Sequence, residues 1–253
     1  MIRGKAAHVL DRLDPRNGRL AIASTFFTNS ILMYSCEPDD LQRLLCPGID
    51  VDVIGGRGHL AVAFVDQRDF RPRGFPRWAG RDFFMVEYLA FVTYESSDGR
   101  QMRGLYLLQS DTPSTLACIG SRVFSHYRFR KIDLTINETD TTRRFTSTKA
   151  RIDVAISLDT DTDTDTDTDG SEEPWADYGQ LSKPRSFNFQ HLKRSNATLV
   201  IRGVLKGWTP RPATVLTSDI AAVEELGINF DGPPKAIEVD NVEYLWRNSR
   251  IDT

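Results

Sequence analysis

Short runs of β-branched and aromatic residues recur along the chain, separated by Gly, Pro and Asp. Such side chains favour extended backbone, and turn residues at both ends limit the length of each run. Eight runs predict strands, at residues 20–34, 49–54, 59–65, 83–94, 104–109, 132–136, 150–158 and 198–204. Many short strands without regularly alternating helices are typical of a barrel or a sandwich. The pattern therefore predicts a mainly β (α+β) protein.

Three short stretches have helical signals, at residues 38–45, 112–123 and 218–226. Pro38 stands at a first-turn position that tolerates proline. Ser218 is expected to cap the third helix, which Gly227 ends. We expect each helix to pack as a lid or plug against a curved sheet.

Composition narrows the class of protein. Hydrophobic residues make up 40% of the 253 positions, and no apolar run approaches the roughly 20 residues that a membrane helix requires. The first 19 residues lack the apolar core of a secretory signal, so a cytoplasmic location is expected. We predict a single domain over residues 1–253, with no membrane partner.

The net charge and the spacing of the cysteines argue against nucleic-acid-binding and metal-binding proteins. The formal net charge is -3 and the Lys and Arg residues are dispersed, so nucleic acid is not an expected partner. The three cysteines show no Cys-x-x-Cys spacing, and the four histidines are widely separated. We therefore expect buried, reduced cysteines, with no metal site and no cofactor.

An acidic repeat interrupts the chain after the seventh predicted strand. Asp and Thr alternate strictly over residues 159–169, and two further glutamates follow by position 173. Repelling carboxylates offer nothing to bury, so residues 159–173 are expected to form a solvated, disordered insertion. The first half of an EF-hand loop is matched, but Ala176 stands where that loop requires a bidentate glutamate.

Glu87 is the outstanding candidate for a pocket residue. It interrupts the apolar run at 83–94, where an ionised carboxylate without a partner would be costly. It must therefore be paired, with Arg122 or Arg103, or face a polar cavity that holds a ligand. Both alternatives place Glu87 inside the sheet structure.

His126 is a second candidate for catalysis. Its ordinary pKa of roughly 6.5 suits a general base near neutral pH. No carboxylate that would orient the ring can be identified from the sequence. A surface or packing histidine is the competing interpretation.

The order of polar residues in the central third resembles the acetoacetate decarboxylase-like superfamily. Glu87 is followed by Arg103-Gly104, and segment 120–128 reads Gly-Ser-Arg-Val-Phe-Ser-His-Tyr-Arg. Decarboxylases of this superfamily end the corresponding segment with Pro-Lys, whose lysine forms a Schiff base with a keto acid. Arg128 takes that position here, and arginine stays protonated and cannot form an imine. The chain is most similar to the uncharacterised branch that lacks this lysine.

Lys131 follows three residues after Arg128 and is the nearest alternative amine. It opens a predicted strand, so a solvated lysine is the simpler interpretation.

The resemblance implies an antiparallel β-barrel or curved double sheet with a few short helices, and a cavity for a small carboxylate or carbonyl compound. Arg122 and Arg128 are expected to clamp a carboxylate, while Glu87, Tyr106 and Tyr127 line the site. Schiff-base decarboxylation is expected to be absent. Two alternatives stay open: an enzyme that acts on a keto acid or enol through Glu87 or His126, and a noncatalytic oligomeric scaffold, for which a homo-oligomer is possible.

Overall fold

The structure is a computed structural model, which describes residues 21–124, 128–159, 178–192, 195–247 and 249–252. The strands are β1 Ile22–Cys36, β2 Ile49–Val51, β3 Gly58–Pro72, β4 Arg81–Glu95, β5 Gln101–Thr112, β6 Phe129–Lys131, β7 Thr135–Glu138, β8 Thr142–Ser147, β9 Ile152–Ser157, β10 Phe187–Leu192, β11 Ala197–Lys206, β12 Arg211–Ile220, β13 Lys235–Trp246 and β14 Arg250–Asp252. The helices are α1 Pro38–Gln42, α2 Thr115–Phe124, α3 Tyr178–Leu181 and α4 Ala221–Glu224. No helix within these ranges is long and apolar enough to cross a membrane.

The strands form one curved, mixed sheet. Its order is β14-β11-β10-β5-β4-β3-β1-β13-β12-β9-β8-β7, with β2 beside β4 and β6 beside β5. Most neighbours are antiparallel, whereas β6 and β10 run parallel to β5. β11 also pairs with β13, from Gly203 to Lys206, so the sheet curls back towards itself around an interior. The predicted mainly β fold is confirmed.

The first half of β3 is mostly apolar on both faces because each face is covered. Val62 and Phe64 of β3 belong to a core that includes Phe145 and Val154 from β8 and β9. The Phe64 and Phe145 rings stack with their centroids 4.3 Å apart. Alternate residues such as Ala63 belong to a second core on the interior side. The strands β7, β8, β9 and β12 thus form an outer layer over the curved sheet.

The third predicted helix is shorter than its sequence signals suggest. β12 continues through Ser218, which pairs with Val154 of β9, and α4 contains only Ala221–Glu224. Ile220 precedes the helix with extended backbone and makes no side-chain cap bond. The predicted capping role of Ser218 is therefore wrong, because pairing with β9 holds that residue in a strand.

The predicted strand at 132–136 begins later than expected. Ile132, the predicted start of a strand at 132–136, lies between β6 and β7. The acidic insertion, apart from Asp159, lies outside the described residues.

Candidate functional site

A cavity of about 100 Å³ opens into the interior of the curved sheet. Apolar side chains of β1, β3, β4, β5, β11 and β13 supply most of its wall. A smaller number of polar side chains also reach it: Asn29, Glu87, Lys183, Arg185, Asn188 and Tyr244. Apolar walls with a few polar groups are characteristic of small-molecule sites.

Glu87 is placed in this wall by the alternation of β4. Val86 and Tyr88 pack into the core under the outer layer, whereas Glu87, opposite Ala63 of β3, faces the cavity. It makes no hydrogen bond or ion pair within the described part of the chain. Burial raises the pKa of Glu87 to about 7. Near neutral pH the carboxyl group therefore exists in both protonation states.

Arg185 is the cation of the cavity that is most deeply buried. It lies between α3 and β10, and its side chain is 10% exposed. Nη1 is 3.2 Å from Oδ2 of Asp52, and the guanidinium lies 4.9 Å from the centre of the Phe91 ring. Nε and Nη2 are buried and have no hydrogen-bond partner among the described residues. Burial lowers the pKa of Arg185, but an arginine remains charged at any accessible pH.

Asp52 forms an ion pair with that guanidinium. Its carboxylate is almost fully buried, and its Oδ1 is 2.9 Å from Nη2 of Arg103. Its backbone N–H donates to the carbonyl of Phe91, the residue whose ring lies under Arg185. One carboxylate thus accompanies two guanidinium groups, and it approaches Arg185 from the Nη1 side.

Tyr244 contributes a hydroxyl group to the wall. Its oxygen accepts a hydrogen bond from Nδ2 of Asn188 at 3.2 Å, and its ring lies 4.7 Å from that of Phe26. Burial raises the pKa of Tyr244 well above its ordinary value, so the phenol stays protonated. A β-carbon at Gly203 would lie 2.5 Å from this hydroxyl, which explains the glycine.

Asn29 adds a buried amide to the cavity wall. It is 3% exposed, and its Oδ1 has no hydrogen-bond partner within the described ranges. It lies on β1, opposite Val65 of β3. A buried acceptor without a partner is costly unless water or a ligand meets it.

Lys183 marks the solvent side of the cavity. The residue is exposed, although it contributes to the lining. Next to it, the carbonyl of Ser182 accepts a 2.7 Å hydrogen bond from Nε1 of Trp208, another lining residue. This bond anchors the segment that carries both Lys183 and Arg185.

Of the ligand-binding residues expected from the sequence, Glu87 lines the cavity. Tyr106 does not: its hydroxyl lies 3.1 Å from Sγ of Cys46. Arg122 and Arg128 are exposed and do not line the cavity either. His126 and Tyr127 lie outside the described residues.

Two further residues considered from the sequence, Arg103 and Lys131, also make their contacts outside the cavity. Arg103, one expected partner of Glu87, pairs with Asp52 instead. The ammonium of Lys131 donates to the Pro113 carbonyl and to the Thr115 hydroxyl on the exterior. The structure thus places Glu87 and Arg185 in the wall of one cavity, although the sequence did not single out Arg185.

Sequence reasoning also missed Asn29, Asn188 and Tyr244. None of them belongs to a recognisable motif, and the strands β10 and β13 were not predicted. The one available signal was indirect, since Tyr244 and Trp246 alternate at the end of β13 as residues of one strand face do. Within the described ranges, no group of three or more His, Cys, Asp or Glu residues is placed to hold a metal ion.

Comparison with known proteins gives a family match and a set of similar structures. Residues 27–242 match the model of the DUF2071 family, described as an uncharacterized conserved protein. No match was found among curated proteins.

The similar solved structures share a fold at low sequence identity. Acetoacetate decarboxylase from Legionella pneumophila is 12% identical, with a TM-score of 0.60 over 91% of this chain and 87% of that chain. The enduracididine biosynthesis enzyme MppR, complexed with pyruvate, is 10% identical, with a TM-score of 0.57 over 92% and 90%. An acetoacetate decarboxylase-like enzyme from Sphingomonas wittichii RW1 is 11% identical, with a TM-score of 0.56 over 92% of both chains. At these identities the similarity establishes the fold alone.

Proposed function

The chain belongs to the DUF2071 family and has the acetoacetate decarboxylase-like fold, and from this premise we propose that its cavity binds a small carboxylate or carbonyl compound. The neighbours that share the fold are enzymes, so the fold fits a small-molecule-binding protein or an enzyme. The observation that carries the proposal is the free edge of Arg185 in the cavity wall.

The geometry of Arg185 favours a carboxylate. Nε and Nη2 form the side-on edge of a guanidinium, where two parallel N–H groups match the two oxygens of a carboxylate. In this protein the Asp52 carboxylate forms an ion pair at Nη1, while the Phe91 ring lies under the guanidinium group. The free edge is therefore held in place before any ligand arrives, which lowers the entropy lost on binding.

Removal of Arg185 tests this function. In isothermal titration calorimetry with pyruvate and butanoate, we expect Arg185→Gln to weaken binding by at least about tenfold, because a charge-assisted pair of hydrogen bonds is lost. Arg185→Lys keeps the charge without the fork, so we expect an intermediate loss.

The exposed arginines supply matched controls, and they also test the clamp expected from the sequence. We expect Arg122→Gln and Arg128→Gln to bind both acids as the parent protein does, since neither side chain lines the cavity. Circular dichroism checks that each variant is folded. Loss of binding in these two variants, with Arg185→Gln unaffected, would contradict the proposal.

We infer further that the ligand is held without imine chemistry. Arg128 cannot form an imine, and Lys183, the lysine of the cavity wall among the described residues, is exposed at the mouth, where water solvates its ammonium. Borohydride treatment in the presence of pyruvate is expected to leave the protein mass unchanged. A reduced adduct at Lys183, located by peptide mass spectrometry, would overturn this inference.

A further inference from the structure

The polar atoms of the cavity that lack partners fall into two kinds. Arg185 presents two buried donors, Nε and Nη2. Asn29 presents a buried acceptor, Oδ1, and the Glu87 carboxyl group adds more acceptor positions, some of which persist when it is protonated. Neither Asn29 nor Glu87 is paired with Arg185, although all three line the same cavity.

The donors and the acceptors are separated within the cavity. The Arg185 guanidinium lies over Phe91, four residues beyond Glu87 along β4, a distance of up to about 13 Å between the two Cα positions. Glu87 of β4 pairs with Ala63 of β3, and Asn29 of β1 pairs with Val65 of β3, so the two acceptor residues lie on the strands that flank β3, roughly 12 Å apart between Cα positions. Both are displaced from the level of Phe91 in the same direction along the strands. The cavity therefore has a donor end and an acceptor end, with apolar wall between them.

The size of the cavity limits what can bridge the two ends. A dry apolar cavity of about 150 Å³ is known to accommodate benzene. At about 100 Å³ the present cavity is smaller, so it suits a ligand of no more than about six heavy atoms.

We propose that the ligand is a small carboxylic acid that carries a hydrogen-bond donor, a hydroxyl or an ammonium group, at the end opposite its carboxylate. The carboxylate binds the free edge of Arg185, and the donor binds Oδ1 of Asn29 and the Glu87 carboxyl group. This inference rests on the proposed function, which it narrows from carboxylates in general to hydroxy and amino acids with a terminal donor. A ligand that buries these acceptors without donating a hydrogen bond to them loses roughly five- to a hundredfold in affinity for each acceptor.

Three acids that differ only in their terminal group provide the test: butanoate, 3-hydroxypropanoate and 3-aminopropanoate. They have the same number of heavy atoms and end in a methyl, a hydroxyl and an ammonium group. Pyruvate serves as a fourth probe, which adds an acceptor but no donor. By isothermal titration calorimetry at about pH 8.5, where the Glu87 carboxyl group is ionised and only accepts hydrogen bonds, we expect the hydroxy and amino acids to bind at least about tenfold more tightly than butanoate and pyruvate.

Two variants isolate the acceptor end. Asn29→Leu nearly conserves volume and removes the amide, and Glu87→Leu removes the carboxyl group. We expect either variant to bring the affinity ratio of the hydroxy and amino acids to butanoate closer to one. Asn29→Leu serves alone if Glu87→Leu does not fold. Equal affinities for all four acids, with Arg185→Gln still weakening each of them, would overturn this inference and leave the proposed function intact. Binding that is absent, or insensitive to Arg185→Gln, would overturn both.

Discussion

Glu87 shows how far a single position can be interpreted from its neighbours. A carboxylate inside an apolar strand predicted either an ion pair or a cavity, and the structure places it in a cavity wall without an ion pair among the described residues. Its pKa of about 7 would also suit a general acid or base. An enzyme that acts on a keto acid or enol through Glu87 therefore stays a hypothesis.

The raised pKa of Glu87 predicts a pH-dependent stability. The folded-state pKa, about 7, lies above the ordinary value of 4.5, so the folded protein holds the extra proton between these two pH values. The free energy of unfolding should therefore fall as pH rises through this window and level off above it. Between pH 5 and pH 8, we expect the free energy of unfolding of Glu87→Gln to fall by about 1–3 kcal/mol less than that of the parent protein.

Urea denaturation across that pH range measures the effect. Glu95→Gln is the matched control, because Glu95 is an exposed glutamate at the end of the same strand. We expect it to follow the parent curve. A Glu87→Gln variant with the parent pH dependence would show that Glu87 is not the group responsible.

The arginines, in contrast to Glu87, could not be assigned from their neighbours in the sequence. Arg122, Arg128 and Arg185 carry the same charge, and the first two occupy positions that a family resemblance makes prominent. Burial separates them: Arg122 and Arg128 are exposed, whereas Arg185 has one side held by Asp52 and the other turned to the cavity. Such a difference depends on contacts between distant segments, so charge and spacing alone did not reveal it.

At the scale of elements, the long strands were the most predictable. β3, β4 and β5 are each longer than the runs that predicted them, because charged residues continue the pairing beyond the apolar stretch. The strands that were missed, β6, β8, β10, β12, β13 and β14, carry more polar residues or lack turn signals at their ends. Pairing with a neighbour holds them in extended conformation where their own composition does not predict it.

The parallel contact between β5 and β10 is the element that completes the site. Asn188 and Phe189 of β10 pair with Leu105 and Tyr106 of β5. A β-carbon at Gly104 would overlap the backbone carbonyl of Phe187, so only glycine permits this approach. The contact brings the segment that carries Arg185 and Asn188 against the sheet that carries Glu87.

At the scale of the molecule, the curved sheet has one side for stability and one for the cavity. The core between β3 and the outer layer contains Phe64 and Phe145, whereas Ala63 and Val65 of the same strand line the cavity. The two functions are therefore separated by strand alternation. That residues 1–253 form a single domain stays a prediction, which an unfolding experiment can test.

Phe145→Ala is expected to destabilise the protein without changing its ligand site. The loss of a fully buried ring should lower the free energy of unfolding by about 3–5 kcal/mol. Urea denaturation, followed by fluorescence and by circular dichroism, should show one coincident transition in both proteins. The affinity for butanoate should not change under conditions where the variant is folded.

Phe75→Ala is the control for this experiment, because the Phe75 side chain is largely exposed. We expect it to change the free energy of unfolding by no more than about 0.5 kcal/mol. Two separate transitions would indicate two independent folding units, and a large change in butanoate affinity in Phe145→Ala would show that the two sides are coupled.

The sequence by itself determined that the protein is mainly β, where its three longest strands run, and that Glu87 lies inside the sheet structure, either paired or facing a cavity. These are local properties, set by side-chain shape, by alternation along a strand and by the cost of a lone buried charge. Only the tertiary structure decided that Arg185, rather than Arg122 or Arg128, faces the cavity with Glu87 and Asn29. Residues from distant parts of the chain meet there because the sheet curls, and its curvature and strand register are products of long-range pairing.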